Sequence, residues 1–144
     1  MNADVESINA ITAAAREAAK HAYVPYSRFR VGAAVRGQKG IYRGCNVENA
    51  TYGATLCAER SALAAFRQAG EVTALELAVA CIDVPAGTGI STVMPCGICR
   101  QWFVELAPDA KIHVCLPASV VTFSAADLLP NAFRLPAQYF DRQP

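Results

Sequence analysis

Leu75-Glu76-Leu77-Ala78-Val79-Ala80-Cys81-Ile82 is the segment from which the architecture can be worked out. It is dense in apolar residues and lies between two helical segments, the place of a central strand buried on both faces. The helix before it is predicted over Cys57 to Ala69 and is stopped by Gly70, with Ala58, Ala62, Ala65 and Phe66 available for packing. The helix after it is predicted over Cys96 to Leu106, closed by Ala107-Pro108-Asp109. A buried strand between two helices belongs to a sheet with helices on its faces.

The flanking segments extend this pattern. Val5, Ile8, Ile11, Ala15 and Ala18 recur at helical spacing, which predicts an amphipathic helix from residue 4 to about 22. Val24-Pro25-Tyr26-Ser27 breaks it, because proline disfavours helix in the residue before it. From Phe29 to Val35 the chain alternates, with Phe29, Val31, Ala33 and Val35 on one face of a predicted strand. Gly37-Gln38-Lys39-Gly40 turns it into a hairpin with Ile41 to Cys45. Lys111 to Leu116 and Val120 to Phe123 read as short strands, and Ser124-x-x-Asp127 as a capping box opening a short helix through Leu129. The predicted order is helix, hairpin, helix, strand, helix, strand, strand, helix. It implies an α/β fold, a three-layer α-β-α sandwich on a mixed sheet of about five strands. With no repeat and no linker, residues 1–144 are expected to form one domain.

Composition narrows the function. A net charge of +1 offers no bulk attraction for nucleic acid or an anionic membrane. Residues 1–20 are Ala-rich but carry Asp4, Glu6, Arg16, Glu17 and Lys20, without the basic start and apolar stretch of a secretion signal. No run approaches membrane-spanning length, so a cytoplasmic protein is expected. A hydrophobic fraction of 53% and a mean hydropathy of +0.23 are apolar for a monomer of this size and point to a subunit interface.

Six cysteines in such a compartment are not expected to form disulfides. Two motifs use three of them: Cys57-Ala58-Glu59, and Pro95-Cys96-Gly97-Ile98-Cys99. Cys96 and Cys99 share one face of a helix start and Cys57 stands at another, so two helix dipoles favour three thiolates around one metal. Three ligands with an open fourth position describe a catalytic zinc. Glu59, two residues from a ligand, is placed to move protons at a zinc-activated water. Zinc with three thiolates carries a net negative charge, and Arg60 or Arg100 could hydrogen-bond to sulfur to offset it. Two other readings remain. A Cys-x-x-Cys pair can be a redox dithiol, which leaves Cys57 and Glu59 without a role. A structural zinc needs a fourth protein ligand, for which neither His21 nor His113 has suitable context, while Cys45, Cys81 and Cys115 look like strand residues packed as small hydrophobes. The polar segment Asn46 to Gly53 leads into Cys57 and reads as a binding wall, and the 83–95 loop as a site rim.

Four blocks carry a resemblance to the small homotetrameric cytidine deaminases: Tyr26-Ser27-Arg28-Phe29-Arg30-Val31-Gly32-Ala33-Ala34, Asn46-Val47-Glu48-Asn49-Ala50, Cys57-Ala58-Glu59-Arg60, and Pro95-Cys96-Gly97-Ile98-Cys99-Arg100-Gln101. A weaker fifth is Leu128-Leu129-Pro130 followed by Phe133. The resemblance implies one zinc per subunit on Cys57, Cys96 and Cys99, with Glu59 as proton shuttle in hydrolytic deamination at C4 of a cytosine nucleoside. It implies Asn46 and Glu48 as partners of the ribose 3′-hydroxyl, Phe29 against the pyrimidine, and the Ala58 amide on its C2 carbonyl. Tyr52 and Phe133 would complete a neighbouring subunit's site in a homotetramer. Cytidine and deoxycytidine are the implied substrates, and pyrimidine salvage the implied role. The alternatives are a related aminopyrimidine nucleoside such as blasticidin S, whose deaminase lacks the Asn-x-Glu-Asn-Ala block, and a non-catalytic zinc-stabilised scaffold. Three features depart from the family pattern: Met94 stands where serine is common, Trp102 where an aliphatic residue is usual, and the 83–95 loop is long.

Overall fold

The computed structural model describes residues 3–136. Its elements run α1 (Ala3–Ala19), β1 (Val31–Arg36), β2 (Ile41–Cys45), α2 (Ala58–Gln68), β3 (Glu76–Cys81), α3 (Gly97–Leu106), β4 (Lys111–Cys115), β5 (Val120–Phe123) and α4 (Ala125–Leu128). The five strands form one mixed sheet in the order β2-β1-β3-β4-β5. Only β3 and β4 pair in parallel, joined through α3, and the other neighbours are antiparallel. Among the described residues no helix is long and apolar enough to cross a membrane.

Alternation divides the side chains of the sheet between two cores. Ala33, Val35, Leu77 and Ile112 face α2 and α3, where they meet Ala62, Leu63, Phe66, Phe103 and Val104. Ala34, Ala78, Ala80 and Cys115 face α1 and pack on Ile11 and Ala15. Every residue of β3 is buried, as expected for the central strand. Two glycines in the hairpin set the spacing of the layers. A Cβ on Gly32 would overlap the Ala15 carbonyl and the Ala19 amide nitrogen of α1. On the opposite face, a Cβ on Gly44 would overlap the Ala62 nitrogen and lie 2.7 Å from the Ala58 carbonyl oxygen, so α2 rests directly on β2.

Local chemistry explains the boundaries. Asp4 and Glu6 in the first turn of α1 and Arg16 in the last complement its dipole. The helix ends at Ala19 rather than near residue 22 because the chain tightens into i→i−3 hydrogen bonds at Lys20, His21 and Ala22. Tyr23 then bridges to Val47. Gly70, at φ +75°, lies just past the end of α2. The Ser124 hydroxyl accepts from the Asp127 amide at 3.1 Å and the Asp127 carboxylate accepts from the Ser124 amide at 2.8 Å, a complete capping box on α4.

One boundary differs in a way that matters for function. β1 begins at Val31, two residues later than the alternation suggests. Arg28 has φ +56°, which bends the chain just before Phe29, and Phe29 and Arg30 bond to side chains and to the residue after β3 rather than to β2. Phe29 therefore lies on a bend just before β1, outside the strand.

A buried polar cluster closes the α1 side. Ser7 Oγ donates to Glu76 Oε2 at 2.6 Å and Arg36 Nε to the same oxygen at 2.7 Å. Fully buried His113 places Nε2 3.5 Å from Glu76 Oε1 and pairs Nδ1 with Thr122 Oγ1 at 2.9 Å.

Candidate active site

Val31 at the start of β1 pairs with Cys81 at the end of β3. Above this end of the sheet lies a cavity of about 360 Å³. The carboxyl ends of strands in open α/β sheets are where ligands bind, and the topology delivers both metal-binding helices there. α2 leads into β3 and α3 into β4, and because those strands are parallel the two helices begin at the same end of the sheet.

Cys57 is the N-cap residue of α2 and Cys96 that of α3, and neither helix has a side-chain cap. Cys99 follows in the first turn of α3. The sulfur atoms lie 3.7 Å apart for Cys57 and Cys96 and 3.5 Å apart for Cys96 and Cys99, all within 4.8 Å of one another. Thiolates 2.3 Å from a tetrahedral zinc sit about 3.8 Å apart, so the three are spaced for one zinc ion. Among the described residues no fourth histidine, cysteine or carboxylate joins the group, and Cys57 and Cys96 line the cavity, so a zinc ion held there would keep a position for water or substrate. Three soft thiolates select zinc over the hard cations.

The charge distribution suits metal capture. The Cys57 thiol is held well below the ordinary range, first by a hydrogen bond from Cys99 and, against the opposing effect of burial, by Arg60. The Cys99 thiol is pushed up correspondingly, by its bond to Cys57 and by burial. Arg60 Nη2 lies 3.8 Å from Cys57 Sγ and donates to the Thr55 carbonyl at 2.9 Å. Arg100 has other partners: Nε donates to the Pro95 carbonyl at 2.7 Å and Nη1 to the Leu128 carbonyl at 3.0 Å. It braces the loop before Cys96 against α4 rather than bonding to sulfur. Glu59, in the first turn of α2, is only 4% exposed and lines the cavity. Burial pushes its carboxyl up to about 7, relieved in part by its own amide and reinforced by negative charge on Cys57. A carboxyl there can both take up and release a proton near neutral pH.

Phe29, Asn46 and Glu48 line the same cavity. Asn46 spends its amide on the backbone: Oδ1 accepts from the Val31 amide at 2.9 Å and Nδ2 donates to the Phe29 carbonyl at 2.8 Å. Glu48 Oε2 accepts from the Tyr26 and Ser27 amides at 3.0 and 3.2 Å, which fixes the carboxylate in the turn. The Ser27 side chain and these amides hold the Glu48 carboxylate below the ordinary range, against a smaller effect of burial. Ala58 is buried and lines the cavity at the uncapped start of α2. Tyr52 lies outside, in a neighbouring cleft with Tyr26 that shares Ser27, Glu48 and Thr55 with the main cavity. Phe133 lies elsewhere, its carbonyl accepting from Gln101 Nε2 at 2.9 Å.

Several lining residues escape the sequence motifs. Val79 and Cys81 form the floor, as β3 alternation allows once its end is known to be the site. Thr92, Val93 and Met94 line it too, from the 83–95 segment that the sequence suggests as a rim. Trp102 does not; it packs against the α2–α3 core.

A three-layer α-β-α domain with three clustered thiolates, an open coordination position and a buried carboxyl defines a zinc-binding enzyme scaffold built for acid–base chemistry. Comparison with known proteins narrows this class. The family described as the cytidine and deoxycytidylate deaminase zinc-binding region matches residues 5–115, and the chain belongs to that family. It is 44% identical over 130 residues to a cytidine deaminase of Mycobacterium tuberculosis, covering 88% of this chain and 90% of the relative. A cytidine deaminase of Halalkalibacterium halodurans is 43% identical over 120 residues, covering 81% and 86%. The crystal structure of cytidine deaminase from Burkholderia pseudomallei superposes with a TM-score of 0.78 at 41% identity, covering 87% of this chain and 98% of that one.

Proposed function

We propose that this protein is a zinc-dependent deaminase that hydrolyses cytidine and 2′-deoxycytidine to uridine and 2′-deoxyuridine with release of ammonia. The observation that carries this reading is the placement of the buried Glu59 carboxyl beside the Cys57–Cys96–Cys99 cluster, in a cavity that Phe29, Asn46 and Glu48 also line.

Zinc held by the three thiolates supplies the Lewis acidity that makes water a nucleophile near neutral pH. Glu59 accepts the proton of the attacking water and delivers it to N3 of the base as the oxygen bonds to C4. A second proton passes through Glu59 to the exocyclic nitrogen, the C4–N4 bond breaks, and ammonia and the uracil product result. A carboxyl near 7 is matched to both transfers. The half-buried Phe29 ring offers a flat apolar wall for the pyrimidine. The Ala58 amide, at a helix start without a side-chain cap, is a donor for the C2 carbonyl. Glu48, pre-oriented by two amides, and the second N–H of Asn46 are partners for the ribose 3′-hydroxyl.

We infer further that residues 1–144 act as one domain and assemble as a cytoplasmic homotetramer serving pyrimidine salvage, with Tyr52 and Phe133 reaching a neighbouring subunit's site. Their exposures of 73% and 71% support this, since large apolar side chains so exposed are candidates for burial between subunits. Among the described residues no basic side chain lines the cavity, which favours an uncharged nucleoside over a phosphorylated or polymeric substrate.

Ammonia release from cytidine, deoxycytidine, cytosine, blasticidin S and a short single-stranded oligonucleotide tests the substrate assignment. Turnover of the two nucleosides is expected, and activity confined to any other member of the panel overturns it. Sedimentation equilibrium tests the assembly, which an active monomer would rule out.

A further inference from the structure

Phe29 sits outside the sheet ladder, and its position depends on anchors from separate parts of the chain. Its amide donates to Ser27 Oγ at 3.1 Å and its carbonyl accepts from Asn46 Nδ2 at 2.8 Å. The next amide, that of Arg30, donates to Asp83 Oδ2 at 2.7 Å, and the Arg30 carbonyl accepts from the Ile82 amide at 3.2 Å. The preceding residue, Arg28, holds φ +56°, a conformation a non-glycine residue keeps only when its surroundings enforce it.

Asp83 joins this bend to another part of the site. It lies two residues past the end of β3 and begins the 83–95 segment, whose far end puts Thr92, Val93 and Met94 into the same cavity as Phe29. Its carboxylate is gripped by the guanidinium as well, Nε reaching both oxygens at 3.1 Å and Nη2 reaching Oδ1 at 2.6 Å. The Arg30 side chain is 44% exposed, so the ion pair itself stabilises little. Its effect is orientational: it turns Oδ2 onto the Arg30 amide.

We propose that Asp83 is a positioning residue for the deamination. By accepting the Arg30 amide it fixes the Phe29 ring against the base and ties it to the start of the rim segment. Asp83 lies outside every sequence block that resembles the deaminases. The inference rests on Phe29 being the pyrimidine wall. Loss of the anchor loosens substrate binding in ground and transition state alike, which raises KM and leaves kcat in place.

Steady-state kinetics with cytidine on the zinc-loaded protein test this in a double-mutant cycle of Asp83→Ala and Phe29→Ala, with Asp83→Asn alongside. Asp83→Ala is expected to raise KM about tenfold with kcat within about twofold of wild type. Asp83→Asn, which keeps an oxygen for the Arg30 amide, is expected to recover most of that loss. Phe29→Ala raises KM, and adding Asp83→Ala to it changes KM no further. A role in stability alone lowers Tm but does not produce that non-additivity. An unchanged KM in Asp83→Ala, or its full effect persisting in the Phe29→Ala background, overturns the inference while leaving the Phe29 reading intact. An unchanged KM in Phe29→Ala overturns that reading and the inference with it.

Discussion

Arg60 Nη2 lies 3.8 Å from Cys57 Sγ, a cation against the thiolate that most readily forms in the metal-binding cluster. A zinc ion with three thiolates is an anionic centre, and the guanidinium supplies a compensating positive charge beside it. The Arg60→Ala variant is expected to bind zinc about 10–100-fold more weakly, the usual effect of losing a group that orients a metal ligand. Competition against a chromophoric chelator measures it. Wild-type affinity in this variant would show that the thiolates do not depend on Arg60.

Glu59 is the buried acid–base group, and its removal should separate metal binding from chemistry. The Glu59→Gln variant is expected to keep stoichiometric zinc while turnover falls by about 10²–10⁴, the range for a lost general acid–base. Metal analysis and ammonia release on one preparation provide the check. Full turnover would assign proton transfer to another group.

Gly44 sets the seat of α2. With no room for a Cβ between β2 and the helix, Gly44→Ala is expected to lose about 1–3 kcal/mol of stability by overpacking. Because Ala58 and its neighbours are the atoms displaced, zinc content should fall as well. Chemical denaturation together with metal analysis reports both, and an unperturbed helix would show up as wild-type values in each.

Acid sensitivity should centre on Glu76 and His113. Burial opposes ionisation of Glu76, but hydrogen bonds from Ser7 and Arg36 outweigh it and hold the carboxyl below its ordinary value. Stability from Glu76 is therefore present above the unfolded carboxyl value of about 4.3 and is lost as pH falls through the lower folded value. Burial lowers the His113 pKa, with Glu76 opposing. The unfolded chain therefore takes up the His113 proton first, and stability already declines as pH drops below about 6.5. Unfolding free energies from pH 7 to pH 3 for wild type and Glu76→Gln should converge toward the acid end. A constant difference across the range would exclude this linkage.

The parts of the site legible in the sequence were those fixed by covalent spacing. Cys57, Cys96, Cys99 and Glu59 declare themselves because ligand type and a two- or three-residue interval are local properties. The buried β3 segment and the capping box at Ser124 were legible for the same reason. What escaped depends on pairing between distant segments. Alternation continues through Phe29, yet its bonds to Ser27 and Asn46, and that of the next amide to Asp83, take it off the strand. Asn46, whose motif implies a sugar contact, also serves as a backbone brace. Arg100 neighbours a ligand in sequence but turns to Pro95 and Leu128, since the helix aims its side chain at α4.

The uncapped starts of α2 and α3 have a consequence for how such a site can arise and be lost. Serine or aspartate at those two cap positions would satisfy free helix amides and stabilise each helix by about 0.5–2 kcal/mol. Cysteine forgoes that bond, and the ion that Cys57 and Cys96 gather clamps both helix ends instead. A single sulfur-to-oxygen replacement at either position would thus improve a helix while dismantling the centre. Selection for a sturdier chain and selection for a working one pull on these two residues in opposite directions.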